Sequence, residues 1–295
     1  MKTIVVPVNK MPWRSYTYEY VNNILDDFIA CGYSVSYYDE QVSNHFANSG
    51  CFIAYVNGKK VLFDQSEYYD NNSWRCDAGV WIINDGGPRY EYASDIPIFK
   101  RMKVLWSEYP KNVFPLGPFV DPKGKKLALS MGYSYIGTKN TLVHTNRVYM
   151  HAVYTRKIAF EKLNLPKSII VDSERTGIEQ YYRKLITSFG CLNITGASTY
   201  TQDSSSIEAM LLGACVVSNN FDIEMPYNKA IKGDEHYICI REEDYSDINE
   251  KILFAFNNRP ICKDIGQKAY NLMQETVLPR KRVEWVEQTV EEFYG

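Results

Sequence analysis

The sequence predicts an α/β protein of two domains, each with a largely parallel sheet and flanking helices. Three observations support this prediction. The first forty residues read as strand, helix and strand; the second half alternates β-branched runs with amphipathic helices; and a passage rich in proline and glycine separates the halves. A chain of 295 residues is long enough to bury two hydrophobic cores.

The first half opens as a βαβ unit. TIVVPV predicts a strand, apolar residues from Val21 to Phe28 recur at helical spacing, and SVSYYD predicts the next strand. CFIAYVNGKKVLFD predicts a hairpin around Asn57-Gly58, because this dipeptide favours a tight turn between two strands. GVWIIND predicts a strand that ends at Asp85, while IPIFKRMKVLW and NVFPLGPFV predict short strands or loops.

The second half repeats the alternation. GYSYIGT predicts a strand that ends at Gly137, and HTNRVYMHAVYTRKIAFEKL predicts a long helix after it. SIIVDS, CLNITG, ACVVSN and YICI predict further strands, with helices over IEQYYRKLITSF, SSIEAMLL and DINEKILFAF and a helical tail. We therefore expect two Rossmann-like domains, residues 1–124 and 125–278, followed by a last helix over 279–295.

Composition excludes several classes of function. A net charge of −2 gives no general attraction to nucleic acid or anionic membrane, and no apolar run approaches the roughly 18 residues of a membrane span. The opening MKTIVVPVNK reads as a first strand and not as a signal peptide. Seven scattered cysteines without a CxxC pair predict reduced thiols in the cytoplasm, with neither a disulfide framework nor a zinc site.

The carboxyl ends of the second set of strands are the predicted site, because ligands of open α/β sheets bind there. Gly137, Thr138, Asn146 and Arg147 follow the first predicted strand, and Arg175 follows the second. A glycine turn that leads into a helix with an arginine in its first turn suits a phosphate or diphosphate. Each arginine could instead be an ordinary solvated surface residue.

A polar cluster opens the helix within TQDSSSIEAMLLGACVVSN. Ser204, Ser205 and Ser206 precede Glu208, which lies where apolar packing is otherwise expected. Glu208 could form a capping box with Ser205, three residues earlier, and this arrangement is compatible with ligand binding. The four histidines have no metal-ligand spacing, and we note only His144, just before the predicted phosphate-binding helix.

The pattern E-A-x-x-x-G-x-x-V-V resembles the nucleotide-sugar-binding domain of retaining GT-B glycosyltransferases. Glu208-Ala209, Gly213 and Val216-Val217 carry the match, after three strand–loop–helix units. The resemblance implies two Rossmann-like domains that face a central cleft, with the acceptor on the N-terminal domain. It also implies that the C-terminal helix crosses back to pack on the N-terminal domain.

The resemblance further implies a reaction, namely retaining transfer of a sugar from a nucleotide-diphosphate donor to a hydroxyl acceptor. The UDP- or GDP-sugar is a co-substrate, and the family needs neither a metal nor a tightly bound cofactor. Glu208 is implied to hold the ribose, the Gly137 turn the diphosphate, and Arg147 with Arg175 the leaving group. Where many members carry a second glutamate this chain has Tyr200, and where a related branch has an arginine it has Ser205.

The acceptor and the catalytic base are less defined. Asp64 and Asp85 each end a predicted strand of the first domain and are candidate catalytic residues, although each could simply cap a turn. A glycan is the favoured acceptor. The DNA alternative requires a basic groove, whose predicted members are Lys100, Arg101, Lys103 and the cluster that starts at Arg280.

Two other classes of function stay open at this point, a non-catalytic nucleotide-sugar-binding protein and a sugar-nucleotide epimerase of GT-B-like fold. The predicted location is the cytoplasm, or the host cytoplasm for a viral protein. The sequence does not specify the sugar, the base, the acceptor, the stereochemical outcome or the oligomeric state.

Overall fold

A computed structural model describes most of the chain. The described residues are 1–7, 15–38, 51–64, 74–75, 81–82, 95–101, 103–105, 109–118, 120, 122–144, 153–194, 204–242 and 244–295. They divide into two compact units. The first contains Met1–Gly117, Glu224–Lys229 and Thr276–Gly295, and the second contains Pro118–Ile223 and Ala230–Glu275.

The first unit is built on a mixed sheet with the strand order β2-β1-β3-β4-β7-β9. The strands of the first unit, including three outside this sheet, are β1 Thr3–Pro7, β2 Ser34–Tyr38, β3 Cys51–Val56, β4 Lys59–Asp64, β5 Trp74–Arg75, β6 Trp81–Ile82, β7 Ile98–Lys100, β8 Lys103–Val104 and β9 Val113–Pro115. β3 runs antiparallel to β1 and β4, whereas β1–β2, β4–β7 and β7–β9 are parallel pairs. β5 and β6 form a separate two-stranded ribbon.

The second unit contains a five-stranded parallel sheet with the order β11-β10-β12-β13-β16. Its strands are β10 Lys139–His144, β11 Ile170–Asp172, β12 Ser188–Asn193, β13 Val216–Asn219 and β16 Ile238–Ile240. A hairpin of β14 Ile223–Met225 and β15 Lys229–Ile231 intervenes before β16, and its residues Glu224–Lys229 belong to the first unit. The buried core of the sheet is apolar, with Leu142, Leu192 and Val217 fully buried.

Helices connect the strands of both units. They are α1 Ser15–Ala30, α2 Pro122–Met131, α3 Val153–Glu161, α4 Ile178–Thr187, α5 Ser204–Leu211, α6 Ile248–Asn257, α7 Arg259–Thr276 and α8 Pro279–Tyr294. The predicted boundary between residues 124 and 125 falls inside α2. None of the helices in the described ranges combines the length and the hydropathy that crossing a bilayer requires.

Several sequence predictions are confirmed. The opening βαβ unit is present as β1, α1 and β2. The two strands pair in parallel. The predicted hairpin is β3–β4, with Asn57 and Gly58 at φ of 50° and 81°, as a tight turn of two left-handed residues requires. The predicted α5 and β13 lie where SSIEAMLL and ACVVSN place them.

The prediction that GYSYIGT forms a strand is wrong, because the strand begins only at Lys139. The alternating tyrosines suggested a strand, but Tyr135 is buried and its hydroxyl donates to the carbonyl of Phe189 at 2.7 Å. Gly137 then turns the chain at a φ of 65°. The described part of the predicted long helix is α3, and His144, its predicted first residue, ends β10 instead. Residues 145–152 lie outside the described ranges, so the prediction is not tested there.

The last helix is tied to the first unit by a buried ion pair. Arg282 of α8 contacts Asp27 of α1 with 2.6 Å between Nη1 and Oδ2, and both side chains are almost fully buried. Trp285 donates its indole N–H to the carbonyl of Pro115 at 2.8 Å. Because isolated buried charges are costly, the carboxylate and the guanidinium must stay together, and this holds α8 on α1.

We predict that Arg282→Met destabilises the protein by about 3–5 kcal/mol, because the variant leaves the Asp27 carboxylate buried without its cation. Denaturant unfolding measures this free energy. The double variant Asp27→Leu/Arg282→Met removes both charges and should recover most of the loss. A double variant as unstable as the single one would show that the ion pair is not the cause.

Candidate functional site

The carboxyl ends of the second sheet form one edge that carries polar side chains. β10 ends at His144, β12 at Asn193 and β13 at Asn219. The parallel register pairs His144 with Leu192 and Asn193 with Ser218, so these ends lie side by side. This is the edge at which open α/β sheets bind their ligands.

The first turn of α5 lies at this edge, beginning at Ser204. The Asn193 side-chain amide donates a hydrogen bond to the Ser206 hydroxyl, and both residues are fully buried. Ser205 is 8% exposed, and its hydroxyl has no hydrogen-bond partner among the described residues. A helix start has free N–H groups and the positive end of the helix dipole, so this first turn suits an anion.

Glu208 lies one turn into α5 and is half-buried. A Cβ on Gly124 would stand 3.1 Å from Glu208 Oε1 and 2.7 Å from the Tyr182 hydroxyl. The first turn of α2 therefore comes close to the Glu208 carboxylate only because residue 124 has no side chain. The positive end of the α2 dipole favours a carboxylate at this place.

The His144 imidazole and the buried Arg156 guanidinium also lie at this edge. The His144 ring stacks on Phe160, with 4.0 Å between ring centroids. Arg156 is buried in the first turn of α3, and its Nε donates to the carbonyl of Ile194 at 2.9 Å. This bond links α3 to the residue that follows β12.

The remaining predicted residues differ in placement. Arg175 lies exposed in the loop between β11 and α4, at the same edge of the sheet. Lys184 of α4 contacts Asp172 at the end of β11 and Glu174 in the loop, at 3.0 and 2.9 Å. Asn146, Arg147 and Asp85 lie outside the described residues, so their roles stay predictions.

The predicted diphosphate turn at Gly137 and Thr138 is at the wrong edge. Both residues precede β10 and lie at its amino end, opposite the start of α5. The protein itself occupies this turn, since Arg259 Nη1 donates to the carbonyls of Gly137 and Lys139 at 2.7 and 3.1 Å. The error follows from the misplaced strand, because β10 begins after Gly137 and Thr138 and does not end at them.

Asp64 does not offer an accessible carboxylate. It ends β4 as predicted, but it is fully buried and forms an ion pair with Lys100, with 2.9 Å between Oδ2 and Nζ. A carboxylate already paired with a buried ammonium group has no exposed lone pair for an acceptor hydroxyl. The catalytic prediction for Asp64 is therefore replaced by a structural role.

The basic groove predicted for DNA is not supported by the residues proposed for it. Lys100 is buried against Asp64, and Arg101 is buried as well. Lys103 pairs with Glu224 at 2.6 Å, and Arg280 pairs with Glu284 at 2.7 Å. Cations that are buried or matched by carboxylates do not form the exposed basic surface that phosphates require.

Three residues of this region were missed in the sequence. Asn193 is the last residue of β12, whereas the prediction takes in the residues that follow each strand. Gly124 lies in the passage rich in proline and glycine between the halves, and it is the point where α2 approaches Glu208. Arg156 falls within a predicted helix and has no predicted role. A polar residue at a strand's last position was the available signal for Asn193.

Comparisons with known proteins extend only to solved structures. No protein-family model and no curated protein matches the chain. Among solved structures, a mutant of S. aureus TarM in complex with Fondaparinux, alpha-GlcNAc-glycerol and UDP is similar at 14% identity and a TM-score of 0.45, over 66% of this chain and 43% of that one. A further structure of TarM is similar at 11% identity and a TM-score of 0.43, over 81% and 70%.

The pneumococcal O-GlcNAc transferase GtfA, in complex with UDP and GlcNAc, is similar at 12% identity and a TM-score of 0.41. That match covers 71% of this chain and 48% of the transferase. This chain thus spans less than half of the first and third of these proteins. Within the described ranges, no group of three His, Cys, Asp or Glu side chains could hold a metal ion.

We predict that Gly124→Ala destabilises the protein, although alanine is normally about 1 kcal/mol better than glycine in a helix. The new methyl group would lie 2.7 Å from the hydroxyl of the buried Tyr182, and such overpacking costs about 1–3 kcal/mol. The change in unfolding temperature shows whether the variant is less stable than the parent. Adding Tyr182→Phe removes the nearest atom and should restore part of the stability; an alanine variant more stable than the parent would contradict the packing.

We predict a pH dependence of stability that arises from His144. Burial lowers the pKa of its imidazole from 6.5 to about 4, and the nearby Arg156 guanidinium adds to the effect. Because the unfolded chain binds this proton at higher pH, the stability contributed by the neutral ring is complete above pH 6.5 and is lost as the pH falls toward 4.

The control is His144→Phe, which keeps an aromatic ring for the stack on Phe160. Between pH 6.5 and 4 the wild type should lose roughly 2 kcal/mol more unfolding free energy than the variant, after allowance for the partial exposure of the ring. Denaturant unfolding across this range measures the difference. Parallel curves for the two proteins would show that His144 titrates normally.

Proposed function

We propose that this protein is a glycosyltransferase that moves a sugar from a nucleotide-diphosphate donor to a hydroxyl acceptor, with the nucleotide bound by the second unit. One observation carries the proposal. At the carboxyl edge of the parallel sheet, the first turn of α5 presents a buried Ser205 hydroxyl without a partner among the described residues, and the Glu208 carboxylate lies one turn further on.

The start of α5 supports binding of the diphosphate. Its free N–H groups and positive dipole end attract phosphate oxygens, and the Ser205 hydroxyl can donate to one of them. A buried hydroxyl without a partner costs about 1–3 kcal/mol, and a ligand oxygen would recover that energy. We therefore place the phosphate end of the donor at Ser204 and Ser205, with Ser206 as a supporting residue whose hydroxyl is bonded to Asn193.

Glu208 supports binding of the ribose. Three residues along a helix correspond to a rise of about 4.5 Å, so the carboxylate lies a short distance from the phosphate end. In a nucleotide the ribose diol follows the phosphates at comparable range, and a carboxylate can accept hydrogen bonds from both hydroxyls. The first turn of α2 lies close to this carboxylate, since a Cβ on Gly124 would stand 3.1 Å from Oε1.

The chemistry then consists of replacing one bond to the anomeric carbon by another. The bond from this carbon to the diphosphate oxygen breaks, and the acceptor oxygen forms the new bond to the same carbon. The proton of the acceptor hydroxyl passes to the departing diphosphate. Negative charge grows on the departing diphosphate, and the positive start of α5 stabilises that charge. Arg147 and Arg175 are the proposed cationic partners of the leaving group, with Asn146 as a further contact.

A retaining outcome remains part of the proposal, and Asp85 remains the proposed acid–base candidate of the first unit. The favoured acceptor is a glycan. The donor is a co-substrate, so no tightly bound cofactor takes part in this scheme.

The test begins with calorimetry of the wild-type protein against UDP, GDP, ADP and TDP and their sugars. We expect one base to bind clearly better than the others. The donor that binds is then incubated with the protein, and release of the nucleoside diphosphate is followed. Binding without turnover would favour a non-catalytic binding protein, an epimerised free sugar would favour an epimerase, and no binding of any nucleotide would overturn the proposal.

We predict that Glu208→Gln weakens nucleoside diphosphate binding by roughly 10- to 100-fold, because hydrogen bonds to a charged acceptor are worth about 1.5–3 kcal/mol. The isosteric amide should leave the unfolding temperature nearly unchanged. Calorimetry measures the affinity. Glu179→Gln, which removes the same charge from the exposed surface of α4, is the matched control and should bind like the wild type. Equal affinities for Glu208→Gln and the control would remove Glu208 from the site.

A further inference from the structure

We propose that Asn193 is a positioning residue that holds the start of α5 in place without itself adding a negative charge beside the diphosphate. The inference rests on the proposed function and extends it to a residue outside the predicted set. Asn193 ends β12, and its amide donates to Ser206 within α5. Both residues are fully buried.

The bond between Asn193 and Ser206 joins two elements that both lie at the candidate site. Asn193 is the last residue of β12 and Ser206 lies in the first turn of α5, so the bond ties the strand end directly to the helix start. Ser205, the residue next to the anchored one, carries the buried hydroxyl assigned to the phosphate end. A shift of the anchor would therefore shift the anion-binding turn.

The choice of an amide is the second part of the argument. An aspartate has nearly the same shape, and the Ser206 hydroxyl could donate to it, so it would also hold the helix. A carboxylate beside a helix start, however, interacts favourably with the dipole and opposes a second anion there. An amide positions the helix without this competition, and it thus suits a site that must receive a diphosphate.

Ser218 strengthens the placement. It pairs in register with Asn193 on the neighbouring strand and is fully buried, and its hydroxyl has no partner in the described part of the chain. In parallel neighbouring strands, register partners point to the same face of the sheet. Asn193 therefore has a polar neighbour on its own face of the sheet.

The experiment compares each nucleoside diphosphate with its nucleoside, which lacks the diphosphate group. The probes are UDP, GDP, ADP and TDP and the four corresponding nucleosides. Calorimetry or competition measures the affinity of each probe. We expect Asn193→Asp to weaken diphosphate binding by about tenfold or more and to leave nucleoside binding within about twofold. Its unfolding temperature should be no lower than that of Asn193→Ala, which lacks the bond to Ser206.

Ser206→Ala is the second variant, because it removes the bond from the helix side without adding a charge. Ser206→Ala should weaken diphosphate binding severalfold and should change nucleoside binding little. Equal losses for diphosphate and nucleoside in Asn193→Asp, or no loss in either, would overturn the positioning role while wild-type binding still supports the proposed function. Absence of all nucleotide binding in the wild type would overturn both.

Discussion

The parallel pairing of β10, β12 and β13 is the constraint on which the candidate site depends. Each strand is followed by a connection that must start at the same edge, so residues distant in the chain come together there. The register is held by apolar side chains that are fully buried, among them Leu142, Cys191 and Val216. A slip by one residue would turn these side chains to the opposite face, so the register and the site are specified together.

The two edges of this sheet differ in how their polar groups are satisfied. At the amino edge, the Arg259 guanidinium binds the carbonyls of the Gly137 turn and lies 4.8 and 4.9 Å from the ring centroids of Phe189 and Phe256. At the carboxyl edge, the hydroxyls of Ser205 and Ser218 are buried without partners among the described residues. An arginine of the protein thus occupies the Gly137 turn, whereas the proposed function assigns a ligand to the carboxyl edge.

Much of the fold could be predicted because its signals are local. The turn at Asn57-Gly58 needs left-handed backbone, which few other dipeptides accept. The hydrophobic patterns of SSIEAMLL and ACVVSN each lie within one helix or one strand. The contacts that decide the site join residues far apart in the chain, which periodicity does not report. The Lys100 ammonium that removes Asp64 from consideration and the Gly124 that admits Glu208 are examples. The GYSYIGT error has a similar origin, since the Tyr135 hydroxyl binds a carbonyl of β12.

Amide hydrogen exchange with and without a saturating nucleoside diphosphate tests the central claim most directly. If the carboxyl edge is the binding site, the ligand should slow exchange at the start of α5, from Ser204 to Glu208, and leave the Gly137 turn unchanged. Protection confined to the Gly137 turn or to the first unit, with α5 unaffected, would contradict the account.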